Sequence, residues 1–228
     1  MYSLNKFRVK PSVQLRSCEC FVAGESLSRL VPLFPLDVVL FPGAPLPLHI
    51  FEPRYKEMIG ECLEQKKVFG IVRAQENKIA DVGCSADILA VTKKYDDGRM
   101  DIITEGQERF EVISVNEDRS FLQGEIEYFE DPPEVTPPSD SARLISLHNE
   151  ILTLVSAEPA TPEPDDPHLT FSLAASLPLD LDFKQTLLEL RSETKRVAAL
   201  LKYYEAMVPN LRRAMNIRKK AGGNGHAS

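Results

Sequence analysis

The chain has 228 residues, with 27 Lys and Arg against 34 Asp and Glu, a net charge of -7 and 43% hydrophobic residues. That composition is ordinary for a globular protein with a real core, in one large domain or two small ones. No run approaches the roughly eighteen consecutive apolar residues of a membrane span, and charges interrupt the N-terminus where a secretory signal needs an apolar stretch, so the expected location is the cytoplasm.

Residues 1–30 show no sustained period and read as an irregular, extended lead-in. Cys18-Glu19-Cys20 lacks the two-residue gap of zinc knuckles, and Cys62 and Cys84 supply no second pair, so neither a metal nor another cofactor is expected. From 31 to 130 the text reads mostly as strands. "VVLF" (Val38–Phe41) is a short apolar run closed by Pro42-Gly43, and "PLPLHIF" alternates, with prolines that suit an edge strand or a corner. Pro53 opens a helix at a position where its missing N–H costs nothing. Tyr55, Met58, Ile59, Cys62 and Leu63 then share one face. Gly60 weakens that helix by roughly 1 kcal/mol relative to alanine, which fits close packing or a modest helix.

"VFGIVRA" (Val68–Ala74) reads as a strand, and "DILAVTKKYDDGRMDIITEG" as a hairpin about Asp97-Gly98. "QERFEVISV" and "FLQGEIEYFE" supply two further strands. Residues 131–140 form a proline-rich linker, after which the period becomes helical over 141–215. Leu144, Leu147, Ile151, Leu154 and Val155 make a stripe behind the capping candidates Ser139 and Ser141. "LTFSLAASL" is a short helix stopped at Pro178. Asp182 with Gln185 reads as a capping box opening a last long helix, whose seam runs Leu187, Leu190, Thr194, Val197, Leu201, Tyr204, Val208. Residues 216–228 read as a flexible tail. The fold expectation is α+β: a curled β module with one inserted helix, followed by an α-helical bundle.

Known chemistries find little material. There is no Gly-Lys dipeptide for a phosphate loop, no Gly-x-Gly-x-x-Gly and no Gly-x-Ser-x-Gly. A thiol hydrolase would have to pair Cys62 or Cys84 with His49, and both cysteines sit in apolar contexts. Residues 191–220 hold nine basic residues against two acidic ones, a local +7 that leaves -14 elsewhere. This stretch is either a solvated helix face or an anion-binding surface, and RNA binding is the alternative function it supports. The strongest signal is apolar. The stretch from Phe34 to Tyr55 carries more apolar side chains than two short strands bury easily. Phe34, Leu36, Phe41, Leu48, Ile50 and Phe51 are therefore the candidate contacts for an extended peptide, unless the helix at 53–66 and the helical module cover them.

The wording of that stretch, "PLFPLDVVLFPGAPLPLHIFEPRYKEMIGECL", resembles the start of the N-terminal, substrate-recognition domain of the Lon protease family. "GIVRA", "VGCSADILAVTKKYDDGRMDIITEGQERFEVISV" and "LAASLPLDLDFKQTLLEL" follow in the family's order, so the resemblance spans about 31–210. It implies a PUA-like pseudobarrel followed by a helical bundle, and it implies binding of unfolded or damaged polypeptide, with a protease or chaperone as partner. The wording is closer to short stand-alone members than to full-length proteases. The ATPase and Ser–Lys peptidase modules of the latter are not expected here, and no catalytic residue carries over. Glu52, Arg54, Arg109 and Phe110 are the expected supports holding the helix to the barrel. The reading is thus of a non-enzymatic binding module, with nucleic acid and membrane disfavoured as partners and the oligomeric state open.

Overall fold

The computed structural model describes residues 29–223 except 77, 159–161, 163–165 and 167, with the backbone alone for 29 and 218–223. The expectations for residues 1–28, including Cys18 and Cys20, and for 224–228 lie outside the described residues. Among the described residues six strands and five helices follow in the order β1 (Arg29–Leu36), β2 (Pro45–Ile50), α1 (Pro53–Gln65), β3 (Phe69–Gln75), β4 (Lys78–Lys94), β5 (Met100–Asn116), β6 (Gln123–Tyr128), α2 (Pro138–Leu154), α3 (Leu169–Ser176), α4 (Leu181–Glu189) and α5 (Glu193–Gly223). They divide into two compact units. The first runs to Glu130 and also takes Asp180–Glu189, which is α4 with its cap. The second holds Asp131–Leu179 and everything from Leu190 onward.

In the first unit the sheet order is β2-β5-β4-β3-β1-β6, with a further pairing of β5 to β6. Hydrogen-bonded neighbours therefore close a ring through β5, β4, β3, β1 and β6, and β2 hangs on β5 at the open edge. The prolines of β2 stand where a ladder on both sides is not required. β1 pairs β3 in parallel and β6 antiparallel, so the sheet is mixed. "VVLF" is not a strand: after Leu36 the chain leaves the sheet, and Leu40 and Phe41 are buried from a loop. The two runs read as separate strands within 100–116 are one, and β4 is equally long. Bulges at three places in the β4–β5 ladder keep the pair in register while it bends. The hairpin turn is a three-residue loop, Asp96–Gly98, with Gly98 at φ 80 and its N–H on the Tyr95 carbonyl.

Successive residues feed opposite faces of these strands. Leu33 and Val72 join Phe110, Val112, Leu122 and Ile126 in one cluster. Phe34 and Ile71 join Phe69, Ile102, Phe121 and the buried face of α1 in the other. Pro53 begins α1 as the sequence requires, and Tyr55, Met58, Ile59 and Cys62 are the buried face. The helix stops where Lys66 turns left-handed (φ 51).

α4 departs from the expected long helix. Its cap is Asp180, whose Oδ1 accepts the N–H groups of Asp182 (2.9 Å) and Phe183 (3.1 Å), so Asp182 is inside the helix rather than at its cap. The chain then breaks, and Ser192 starts α5 by accepting the Lys195 N–H (3.2 Å). Polar contacts tie α4 to the sheet on either side of its last turn. Gln185 donates to the Val82 carbonyl (3.0 Å), and Arg109 donates to the Leu188 carbonyl (3.1 Å).

In the second unit α2 lies along α5, with α3 beside α5. Ser139 and Ser141 do not cap α2, which begins at Pro138 beyond Pro137, shortening the linker by three residues. The buried face of α2 is Ser141, Leu144, His148, Ile151 and Leu152 rather than the stripe through Leu147 and Leu154. α5 meets it with Val197, Leu200, Tyr204 and Val208. α5 runs on to Gly223, so residues 216–223 are helical rather than tail. The Ser176 hydroxyl and the buried Tyr204 hydroxyl fix the His148 ring. Ser176 gives its proton to the Leu173 carbonyl (2.9 Å), so it accepts from His148 Nε2 (3.2 Å), and Nδ1 accepts from the Tyr204 hydroxyl (3.0 Å). Burial without a counter-ion pushes the imidazole from its ordinary 6.5 down to about 4.

Two outcomes follow from this packing. A Cβ at Gly60 would meet nothing within 4 Å, so Gly60→Ala should raise stability by about 0.5–1 kcal/mol in urea unfolding, whereas at Gly106 it would lie 2.1 Å from the Phe41 carbonyl oxygen and Gly106→Ala should lower it. Because the folded His148 pKa lies below the unfolded one, its contribution is complete above pH 6.5 and is lost as pH falls from 6.5 toward 4. His148→Gln should lose the part of the pH slope that lies in that window, measured as urea midpoints from about pH 7 to about pH 4.5.

Candidate functional site

The alternation of β2 decides which part of the apolar stretch is surface. Leu46, Leu48 and Ile50 turn to the main core, and Pro45, Pro47 and His49 turn out. Phe51, one residue past the strand, is 58% exposed. Register supplies the neighbours on that outer face. Pro47 is opposite Ile103 and His49 opposite Asp101 on β5; Ile103 and Asp101 are in turn opposite Ala90 and Lys93 on β4. Between Ile88 and Ala90 β4 has one residue more than β5, and that extra residue, Leu89, is 54% exposed, with Ile103 at 37%. Pro47, Phe51, Leu89 and Ile103 thus give the outer side of three strands an apolar character.

A polar cluster stiffens one end of this face. His49 Nδ1 lies 2.5 Å from Asp101 Oδ1, and the Tyr95 hydroxyl donates to Asp101 Oδ2 (2.9 Å). The His49 ring first, and the Tyr95 hydroxyl second, hold the Asp101 carboxyl below the usual carboxylate range. Phe51 stacks on His49 with ring centres 5.9 Å apart. Lys93 and Arg99 lie over the Tyr95 ring (4.5 and 4.9 Å).

Three of the six predicted contacts are corrected. Phe34 and Ile50 are buried because β1 and β2 present them to the inner face beneath α1, and Phe41 is buried from the loop after β1. Leu36 and Leu48 are half-buried against the same core, and Phe51 alone is fully on the surface. Leu89, Ile103 and Pro47 escaped notice. The bulge that turns Leu89 outward has no sequence marker, while the Pro47 and Ile103 positions follow from the two-residue period once the register is known.

The supports are also redistributed. Glu52 and Arg54 pair with each other (2.8 Å) at the start of α1, where Arg54 covers the Tyr55 ring. Arg109 holds α4, not α1, and Phe110 belongs to the cluster on the opposite face. The strap on α1 is Arg119, which donates to Glu57 (3.0 Å) and Glu61 (2.7 Å) and covers Phe121.

The thiol chemistry has no support in this geometry. Burial pushes the Cys62 and Cys84 thiols up to about 11 and about 12, so neither is a thiolate near neutrality, and His49 directs Nδ1 at Asp101. Among the described residues no three His, Cys, Asp or Glu side chains converge on a metal-sized point. The basic stretch is partly neutralised. Arg196 is buried among Asp131, Glu193 and Thr170, and Arg212 pairs with Glu150 (2.6 Å). The side chains of Arg218, Lys219 and Lys220 lie outside the described residues. No described helix is long and apolar enough to cross a membrane.

A family model, the ATP-dependent protease La (LON) substrate-binding domain, matches residues 30–205. The chain belongs to this family. Lon protease 1 of Hydrogenovibrio crunogenus is 27% identical over 205 residues, covering 81% of this chain and 24% of that protein. The Lon protease of Parabacteroides distasonis is 30% identical over 165 residues, covering 68% of this chain and 20% of that one. The chain therefore spans about a quarter or less of the length of these relatives. The crystal structure of a Lon N-terminal domain protein from Xanthomonas campestris matches with a TM-score of 0.63 at 26% identity, over 77% of this chain and 98% of that one. The fold of that solved domain is thus shared over 77% of this chain.

The division between surface and core can be read from substitutions. Phe51→Ser and Leu89→Ser should change unfolding free energy by no more than about 0.5 kcal/mol, while Ile50→Ala and Phe41→Ala should each cost about 2–5 kcal/mol in urea titrations.

Proposed function

We propose that this Lon-family chain is a non-enzymatic module that binds extended or unfolded polypeptide on the outer face of β2, β5 and β4. The observation that carries this reading is the exposure of Phe51, Leu89 and Ile103, beside Pro47, on one sheet face. Side chains of this size rarely stand together in water without a partner. The family to which the chain belongs is described by substrate binding, which points the same way. The closed pairing of β5, β4, β3, β1 and β6 supports a PUA-like pseudobarrel as the platform. Delivery to a protease or chaperone, in the cytoplasm, is the corresponding role.

The chemistry favours contact with the sheet face over strand addition. Two of the six β2 residues are prolines and have no N–H to offer an incoming strand, so an extended client gains little from the backbone there. Apolar burial is the main source of affinity: each half-exposed side chain that a client covers contributes roughly 1 kcal/mol at about 25 cal/mol per Å². Such contacts are indifferent to sequence beyond apolar character, which suits recognition of unfolded chains.

The test is titration of a reduced, alkylated model protein, followed by fluorescence anisotropy. The wild type should bind, and the combined Phe51→Ser, Leu89→Ser, Ile103→Ser variant should bind about tenfold or more weakly while remaining folded. Wild-type binding that the variant fully retains, or no wild-type binding at high micromolar concentration, would overturn the assignment.

A further inference from the structure

A second feature of the same unit lies away from the outer face. The β3–β4 turn and α4 flank an open cavity of about 370 Å³ whose lining includes Arg73, Glu76, Lys78, Ile79, Asp182 and Gln185. That volume falls within the roughly 300–1,000 Å³ of small-ligand sites. Two of its walls are buried polar side chains, Arg73 with 9% of its side chain exposed and Gln185 at 8%. Each has one atom without a partner among the described residues, Arg73 Nε and Gln185 Oε1.

Neither is a matter of side-chain orientation. Gln185 Nε2 donates to the Val82 carbonyl (3.0 Å) and to Glu189 Oε1 (2.9 Å). Turning the amide over would set Oε1 against two acceptors, so Oε1 stays on the far side, an acceptor lacking a donor. Arg73 Nη1 donates to Asp182 Oδ1 (2.6 Å), which fixes the guanidinium, and its Nε has Asp37 at ion-pair distance (3.6 Å) but beyond a hydrogen bond. The residues lining the cavity therefore include one donor and one acceptor without a hydrogen-bond partner, with Ile79 as an apolar wall.

We propose that this cavity is an amide-reading subsite, in which Arg73 Nε–H donates to the carbonyl of a ligand amide and Gln185 Oε1 accepts its N–H. An anion would satisfy Arg73 but repel Gln185 Oε1, and a cation would do the reverse. A neutral amide supplies both partners at once. Resting on the polypeptide-binding reading, the amide comes from the client, either as a peptide bond or as an Asn or Gln side chain.

The experiment follows the Arg73 Nε–H and Gln185 Nε2–H₂ signals in nitrogen–proton NMR spectra of the full chain. N-methylacetamide represents the peptide bond and acetamide the side-chain carboxamide. At least one amide should move both signals in a saturable way, beyond any change at the exposed Gln107, and the Gln185 response should vanish in Arg73→Lys. If neither amide does so, the subsite is overturned. Arg73→Lys should also weaken binding of the alkylated model protein about three- to tenfold. Unchanged affinity would overturn the subsite and leave the outer-face reading standing. Absence of wild-type binding to that protein would overturn the outer-face reading, and the two amide titrations would still decide the cavity.

Discussion

The first unit depends on one strand serving three partners. β5 pairs β2 and β4 through its first half, and β4 and β6 through its second. A straight ladder of seventeen residues cannot do this, because the ring must bend to bring β6 back to β5. The bend is accommodated by bulges, and each bulge changes which way a side chain points. Leu89 is outside for that reason, so that one member of the apolar outer face follows from the bulge rather than from strand alternation. The same bend brings the loop after β1 down onto Gly106, where Gly43 donates to the Gly106 carbonyl (2.8 Å) and a side chain would strike the Phe41 carbonyl.

The sequence makes local chemistry legible and leaves long-range parity hidden. Asp97-Gly98 and Pro53 act within a few residues, and both appear where their backbone preferences place them. Phe34, Phe41 and Ile50 are as apolar as Phe51, and nothing in composition separates the inward from the outward members. Only register does, since a shift of one residue exchanges the two faces of a strand. The seam from Leu187 to Val208 hides a break for a similar reason. Hydrophobic period passes smoothly through 190–192, whereas α4 is tied to the sheet by polar contacts, Gln185 to Val82 and Arg109 to Leu188, between residues about eighty to a hundred apart in sequence. Arg109 was legible as a support but not as the support of α4.

Polar burial in the second unit follows the opposite logic from its apolar packing. Arg196 has almost no exposed surface, and its donors reach Asp131, Glu193, Thr170 and the Leu190 carbonyl, while its plane covers Phe171. A buried guanidinium without those acceptors would cost several kcal/mol, so the arrangement functions only as a whole. His148 meets the same requirement differently, by remaining neutral and using both ring nitrogens. The two devices respond to different conditions. Acid acts on the second, because His148 becomes a liability once a charge is forced on it.

Against that background the unmet atoms of Arg73 and Gln185 are an exception to be explained. Arg109, the buried side chain that reaches α4 from the sheet, meets the Leu188 carbonyl at 3.1 Å. An unpaired buried donor or acceptor costs about 1–3 kcal/mol, a considerable part of the stability of a domain of this size. Either atom could be replaced by an apolar one: Met at position 185 keeps the length of Gln and drops the oxygen. A hydrogen-bonding requirement on Gln185 Nε2 accounts for half of that residue, because Val82 and Glu189 need a donor. It does not account for Arg73, whose ion pair with Asp182 could be made by a lysine with no second donor to strand. What distinguishes Arg from Lys at this position is a fixed Nε–H, which here lies 3.6 Å from Asp37 with no hydrogen bond of its own. In a cavity whose lining also carries an unmet acceptor, that Nε–H suits a group offering both an acceptor and a donor, as an amide does.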